Sequence, residues 1–116
     1  MEVTWVGERK MATLNRVYKR RRGAAEILTF SYRGAAGRVP ESPAGEIYLC
    51  WARLVRGAKR RGVSPRAYAA RLLVHGLLHL RGHRHDTASA GARMEAAERR
   101  FLRGNFSERV LERLFA

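Results

Sequence analysis

Apolar positions along this chain recur with two different periods, and the switches between them divide it into elements. Val3 and Trp5 alternate with polar neighbours, which predicts a short strand over Glu2–Val6. From Glu8 to Arg21 the spacing lengthens to that of a helix, with Met11, Leu14, Val17 and Tyr18 on one face and Gly23 placed to end it. Residues 26–32 (Glu-Ile-Leu-Thr-Phe-Ser-Tyr) are rich in strand formers. The glycines and prolines of residues 33–45 predict a loop, and Glu46–Cys50 is apolar enough for a central strand. Trp51–Arg61 reads as a helix stopped by Gly62. Ser64-Pro65 starts another, because Ser caps free amides and Pro suits the first helical position. That helix runs through Leu72-Leu-Val74 to about Arg81, where Gly82 breaks it. Thr87–Gly91 reads as a small-residue loop, Ala92–Arg103 as a helix, and Ser107 as the cap of a short helix to Phe115. Three strands, mostly early, with several helices predict an α+β domain spanning residues 1–116.

Composition narrows the function. At 116 residues and 46% hydrophobic, the chain can bury a core without staples, and its single cysteine, Cys50, allows no internal disulfide. It has no apolar run of membrane length and no signal-peptide pattern at its start. These features predict a cytoplasmic protein with no membrane partner. Charge changes the picture more. Lys plus Arg total 24 against 10 acidic residues, for a formal net charge of +14 spread along the chain. A field of that size favours a polyanion, and nucleic acid ranks ahead of a membrane surface. Solvated surface arginine is the plain alternative.

All four histidines lie in eleven residues, His75-Gly-Leu-Leu-His79-Leu-Arg-Gly-His83-Arg-His85. The i, i+4 spacing puts His75 and His79 on one helix face, as two nitrogen ligands of a metal require. Gly82 lets the chain turn back, so that His85 can approach from another direction. His83, four residues after His79, competes with it as third ligand. Three imidazoles and an open position are the pattern of a catalytic zinc, although nickel, cobalt and copper also accept such a set. An isolated i, i+4 pair is more often ordinary surface. The concentration of all four is what argues for a metal. A metallopeptidase would carry Glu directly after the first His as general base, and that position is Gly76.

The motif resembles that of the YbeY-type endoribonucleases, His-Gly-x-Leu-His-Leu-x-Gly-Tyr-Asp-His. Other segments resemble the family in order: Leu14-Asn15-x-x-Tyr18-Lys19, Ile27-Leu28-Thr29-Phe30, Gly45-Glu-Ile-Tyr-Leu49 and Met94-Glu95-x-x-Glu98. The resemblance implies a small mixed sheet packed by helices, with the metal on the central His-bearing helix. It implies one divalent ion, usually zinc, on His75, His79 and His85. It also implies single-strand-specific cleavage of RNA, in 16S rRNA 3′-end maturation and ribosome quality control, with the ribosome or its small subunit as partner. The chain departs from the pattern in three ways. His83-Arg84 replaces Tyr-Asp, which leaves Asp86 as the carboxylate to orient a ligand imidazole. Lys19 stands where the family has Arg and offers a point charge, not a planar fork; Arg20, Arg21 or Arg22 can substitute. The family's usual extra N-terminal strand and helix have no counterpart, so the sequence reads as a short form.

The expected chemistry is phosphodiester hydrolysis. Lys19 and Arg20 are the expected catalytic cations, and Lys19, Arg20, Arg21, Arg22, Arg81 and Arg84 the expected RNA contacts. Tyr32 and Tyr48 are candidates for stacking bases, while Phe30 and Trp51 fit core packing better. Two other functions remain in view. One is a non-catalytic, metal-stabilised RNA- or ribosome-binding assembly factor. The other is a hydrolase of small phosphorylated molecules, which the lack of a glycine-rich phosphate loop disfavours.

Overall fold

The computed structural model describes residues 2–31, 45–82 and 86–116, with the side chain of Ser31 excepted. Among these are three strands, β1 (Glu2–Val6), β2 (Ile27–Ser31) and β3 (Gly45–Cys50). Five helices accompany them: α1 (Glu8–Lys19), α2 (Trp51–Arg61), α3 (Pro65–Leu80), α4 (Ala88–Leu102) and α5 (Glu108–Leu114). The sheet order is β1-β3-β2, with β1 parallel and β2 antiparallel to β3. This is the expected small mixed α+β sheet, with the apolar β3 at its centre. The loop expected over 33–45 lies outside the described residues except for Gly45.

Strand alternation assigns the two faces. Leu28 and Cys50 pack with Met11 of α1, joined by the partly buried Phe30 and Tyr48. On the other face Ile27, Thr29 and Ile47 meet α3 at Gly76, where a Cβ would stand 3.0–3.3 Å from their side chains. Helix α3 is therefore pressed against the sheet, and α2, α4 and α5 complete a second core around Leu54, Tyr68, Leu102, Leu111 and Leu114. A polar bolt joins the start of α3 to the residue before β2. The Tyr68 hydroxyl donates to Glu26, and Arg60 Nη2 reaches the other carboxylate oxygen at 3.4 Å. Burial first, and that hydrogen bond second, push the Tyr68 hydroxyl up to about 12, so it remains a donor at neutral pH.

The helix boundaries follow their caps, with two differences from expectation. Ser64 Oγ accepts from Ala67 N at 3.1 Å and starts α3 as expected. Thr87, read as loop, caps α4 through Oγ1 to Ala90 N at 3.0 Å, so that α4 begins four residues earlier, at Ala88. The small residues that suggested a loop are good helix formers once a cap is supplied. At the other boundary, α1 stops at Lys19, because Arg20 takes the left-handed conformation (φ 55°) and acts as C-cap. Gly23 lies beyond that cap. Burial also departs from the pattern. Met11 is buried, but Val17 and Tyr18 on the same apolar stripe are 57% and 64% exposed. Trp51, expected in the core, is 53% exposed and stands edge-on to Trp5 at 5.5 Å.

Candidate active site

Helix α3 carries His75 and His79 one turn apart, and their side chains converge. The two Nε2 atoms are 3.1 Å apart, with the rings nearly perpendicular. Behind His75 stands Glu98 of α4, 3% exposed, with Oε1 2.6 Å from His75 Nδ1. A carboxylate only accepts, so Nδ1 carries the proton and Nε2 presents its lone pair toward His79. Arg71, one turn before His75, holds the second Glu98 oxygen at 3.5 Å through Nε. Its guanidinium also lies 4.3 Å over Phe115 and donates to the Leu114 carbonyl, which ties α5 to the same assembly. The orientation of His75 is thus set by three helices packed together.

This arrangement fits a metal ion. Two nitrogens bound at about 2.0–2.1 Å to a tetrahedral ion stand roughly 3.3 Å apart, close to the spacing found here. The carboxylate on the outer nitrogen is the support that ligating histidines normally have. The third donor expected from His85, or from His83, lies outside the described residues, as does Arg84. Among the described residues no three His, Cys, Asp or Glu side chains come together in a metal-binding group. Asp86 is exposed just before α4, and the carboxylate on His75 is Glu98. Glu98 is not among the expected site residues, because it lies 23 positions from His75 and reaches it through α3–α4 packing. Its signal is the Met94-Glu95-x-x-Glu98 segment. Glu98→Gln is expected to weaken zinc binding by about 10–100-fold in a competitive chelator titration. Unchanged affinity would remove Glu98 from this role.

The imidazoles open into a cavity of about 390 Å³ that runs past β2 to the end of α1. Its lining brings His75, Gly76 and His79 together with Lys19 and Arg21. Lys19 is anchored, with Nζ donating to the Thr29 carbonyl at 3.1 Å and standing 4.8 Å above the Phe30 ring. Arg20 and Arg22 are exposed next to it, and neither is among the described lining residues. Arg81 lines a separate small cavity with Val74, Leu77, Leu78 and Phe101. No carboxylate lines the histidine cavity among the described residues, so the described lining supplies two imidazoles and two cations. Such a surface attracts and orients an anion.

Comparison with known proteins agrees with this architecture. The family model described as "Endoribonuclease YbeY" matches residues 1–105. An endoribonuclease YbeY of Azoarcus sp. (strain BH72) is 39% identical over 105 residues, covering 88% of this chain and 42% of the relative. That of Cupriavidus metallidurans is 38% identical over 98 residues, covering 84% and 48%. That of Aromatoleum aromaticum is 37% identical over 102 residues, covering 88% and 63%. The chain spans about half the length of the curated relatives it matches. The solution structure of a Thermotoga maritima protein shares the fold, with a TM-score of 0.54 at 20% identity, covering 91% of this chain and 74% of that one. By the match of the family model and of these relatives, the chain belongs to the endoribonuclease YbeY family.

Proposed function

We propose that this domain is a metal-dependent endoribonuclease that cuts single-stranded RNA, acting in the cytoplasm on rRNA, at the 16S 3′ end, with the small ribosomal subunit as partner. The observation that carries the reading is the sharing of one cavity by the convergent His75–His79 pair and the cations Lys19 and Arg21. His75 and His79, with His85 as third donor, would hold one zinc ion. When bound, zinc supplies a water of lowered pKa and polarises a phosphoryl oxygen. The protein's own contribution is placement. Glu98 keeps His75 in the tautomer that presents Nε2, and Lys19, fixed on Thr29, offers a cation to the phosphodiester beside the imidazoles. Arg21 adds a second charge along the strand.

The test is a labelled RNA offered single-stranded and as a duplex, with binding followed from 50 to 200 mM salt. Cleavage is expected only of the single strand. Log affinity should fall linearly with log salt, with a slope of about −0.7 for each phosphate neutralised. A double charge removal, Lys19→Ala with Arg21→Ala, should reduce the slope by one to two phosphates. Affinity that is indifferent to salt would sink the phosphate-tracking reading. Salt-dependent binding with no cleavage would leave the assembly-factor function in its place.

A further inference from the structure

A second cavity, of about 500 Å³, adjoins the first and shares Lys19 and Thr29 with it. It lies on the α1 face of the sheet and is aromatic. The Tyr18 and Tyr48 rings stand nearly perpendicular to Phe30, with centroids 5.5 and 5.8 Å away. This is not closed core, since Tyr18 is largely exposed and Phe30 and Tyr48 only partly buried. The cavity also holds a carboxylate. Glu46 Oε2 accepts from the Tyr48 hydroxyl at 3.0 Å, and Oε1 has no hydrogen-bond partner among the described residues. That bond also raises the Tyr48 pKa and keeps its hydroxyl a donor that fixes Glu46.

An acid at this point is out of character for a protein of net charge +14, and it opposes the attraction of Lys19 for phosphate. Its chemistry suits a neutral ring that donates hydrogen bonds. Unpaired bases stack on aromatic side chains and are read at their edges. A carboxylate accepts well from an exocyclic amino group, as Glu and Asp do from cytosine N4. Adenine and guanine also carry amino groups. Uracil offers only N3–H, flanked by two carbonyl oxygens that a carboxylate repels.

We infer that the Tyr18–Phe30–Tyr48 pocket holds one unstacked nucleobase of the RNA strand, and that Glu46 selects amino-bearing bases over uracil. The adjoining phosphate then passes Lys19 toward His75 and His79. This assignment rests on RNA being the substrate.

The experiment uses the full chain in EDTA, so that nothing is cleaved, and fluorescence anisotropy with labelled single-stranded heptamers. One probe is all uridine, and the others carry a single central cytidine or adenosine. The cytidine and adenosine probes are expected to bind about 5- to 10-fold tighter than the all-uridine one. Glu46→Gln should erase that preference, because a carboxamide also donates to the uracil carbonyls. Tyr48→Phe keeps the ring but frees Glu46, so it should hold affinity within about twofold while narrowing the preference. A thermal melt accompanies each variant. If Glu46→Gln does not fold, the wild-type preference and Tyr48→Phe decide. Salt-dependent binding that is equal for all three probes overturns the pocket assignment and leaves the RNA reading standing. Absence of salt-dependent binding to any probe overturns both.

Discussion

His75→Ala is expected to lower the rate of single-stranded RNA cleavage by at least about a thousandfold, which is roughly 4 kcal/mol of transition-state stabilisation. RNA affinity in the same variant should stay within about twofold of wild type. The two readouts separate because different elements supply them. In the proposed reading affinity comes from charges at the end of α1, with Lys19 held on β2 through the Thr29 carbonyl. Nothing in that attachment passes through His75. Turnover, in the same reading, depends on a lone pair at His75 Nε2, which the Glu98 hydrogen bond orients 3.1 Å from its counterpart on His79. Removing the imidazole also deprives the buried Glu98 of its 2.6 Å partner and leaves it with Arg71, at a cost of roughly 1–3 kcal/mol. The variant should therefore melt lower but still cooperatively.

Single-turnover cleavage, anisotropy and a thermal melt on one preparation check this together. A folded His75→Ala protein that cleaves as fast as wild type sinks the assignment of the cleavage to the histidine pair. One that fails to fold, while wild type with EDTA also unfolds, would assign the metal a structural role. Wild type in EDTA is expected to keep its fold, because α3 is held by its seam with the sheet and by the Tyr68–Glu26 bolt, neither of which involves a metal.

The sequence predicts best what local chemistry decides. The spans of α2, α3 and α5 follow from Gly62, from Ser64-Pro65 and from Ser107, because each cap acts within a turn of its own helix. The pairing of His75 with His79 follows from helical geometry alone. What the pattern does not contain is whether anything covers an apolar face. Val17, Tyr18 and Trp51 carry the right periodicity and stay exposed. Nor does local pattern reveal a contact made across helices. Glu98 reaches His75 only because α4 packs on α3, and a reader of the sequence meets Asp86, nearer the motif, first. The aromatic pocket shows the same limit. Tyr48 is a stacking candidate from the sequence, but its grouping with Tyr18, Phe30 and Glu46 depends on α1 lying over β2 and β3.

Gly76→Glu is expected to destabilise the protein by roughly 3–5 kcal/mol, a fall in melting temperature of about 10–20 °C. Gly76 is buried, and a Cβ there would stand 3.0 Å from Thr29 Cγ2, 3.2 Å from Ile27 Cδ1 and 3.3 Å from Ile47 Cδ1. These are the tips of side chains, so one methyl group is tolerable. Gly76→Ala should lie within about 1–2 kcal/mol of wild type, since gained helix propensity of about 1 kcal/mol offsets the crowding. Glutamate adds four more heavy atoms and a charge to a seam walled by two isoleucines. Relieving it requires α3 to lift from the sheet, and the same lift would draw His75 and His79 away from Lys19 across their common cavity. The glycine where a metallopeptidase keeps its general base is therefore a requirement of helix–sheet contact. The fold leaves no room for that base at this position. A Gly76→Glu protein melting within about 2 °C of wild type would show that the seam is looser than these distances, and would restore a carboxylate at position 76 as a chemical option.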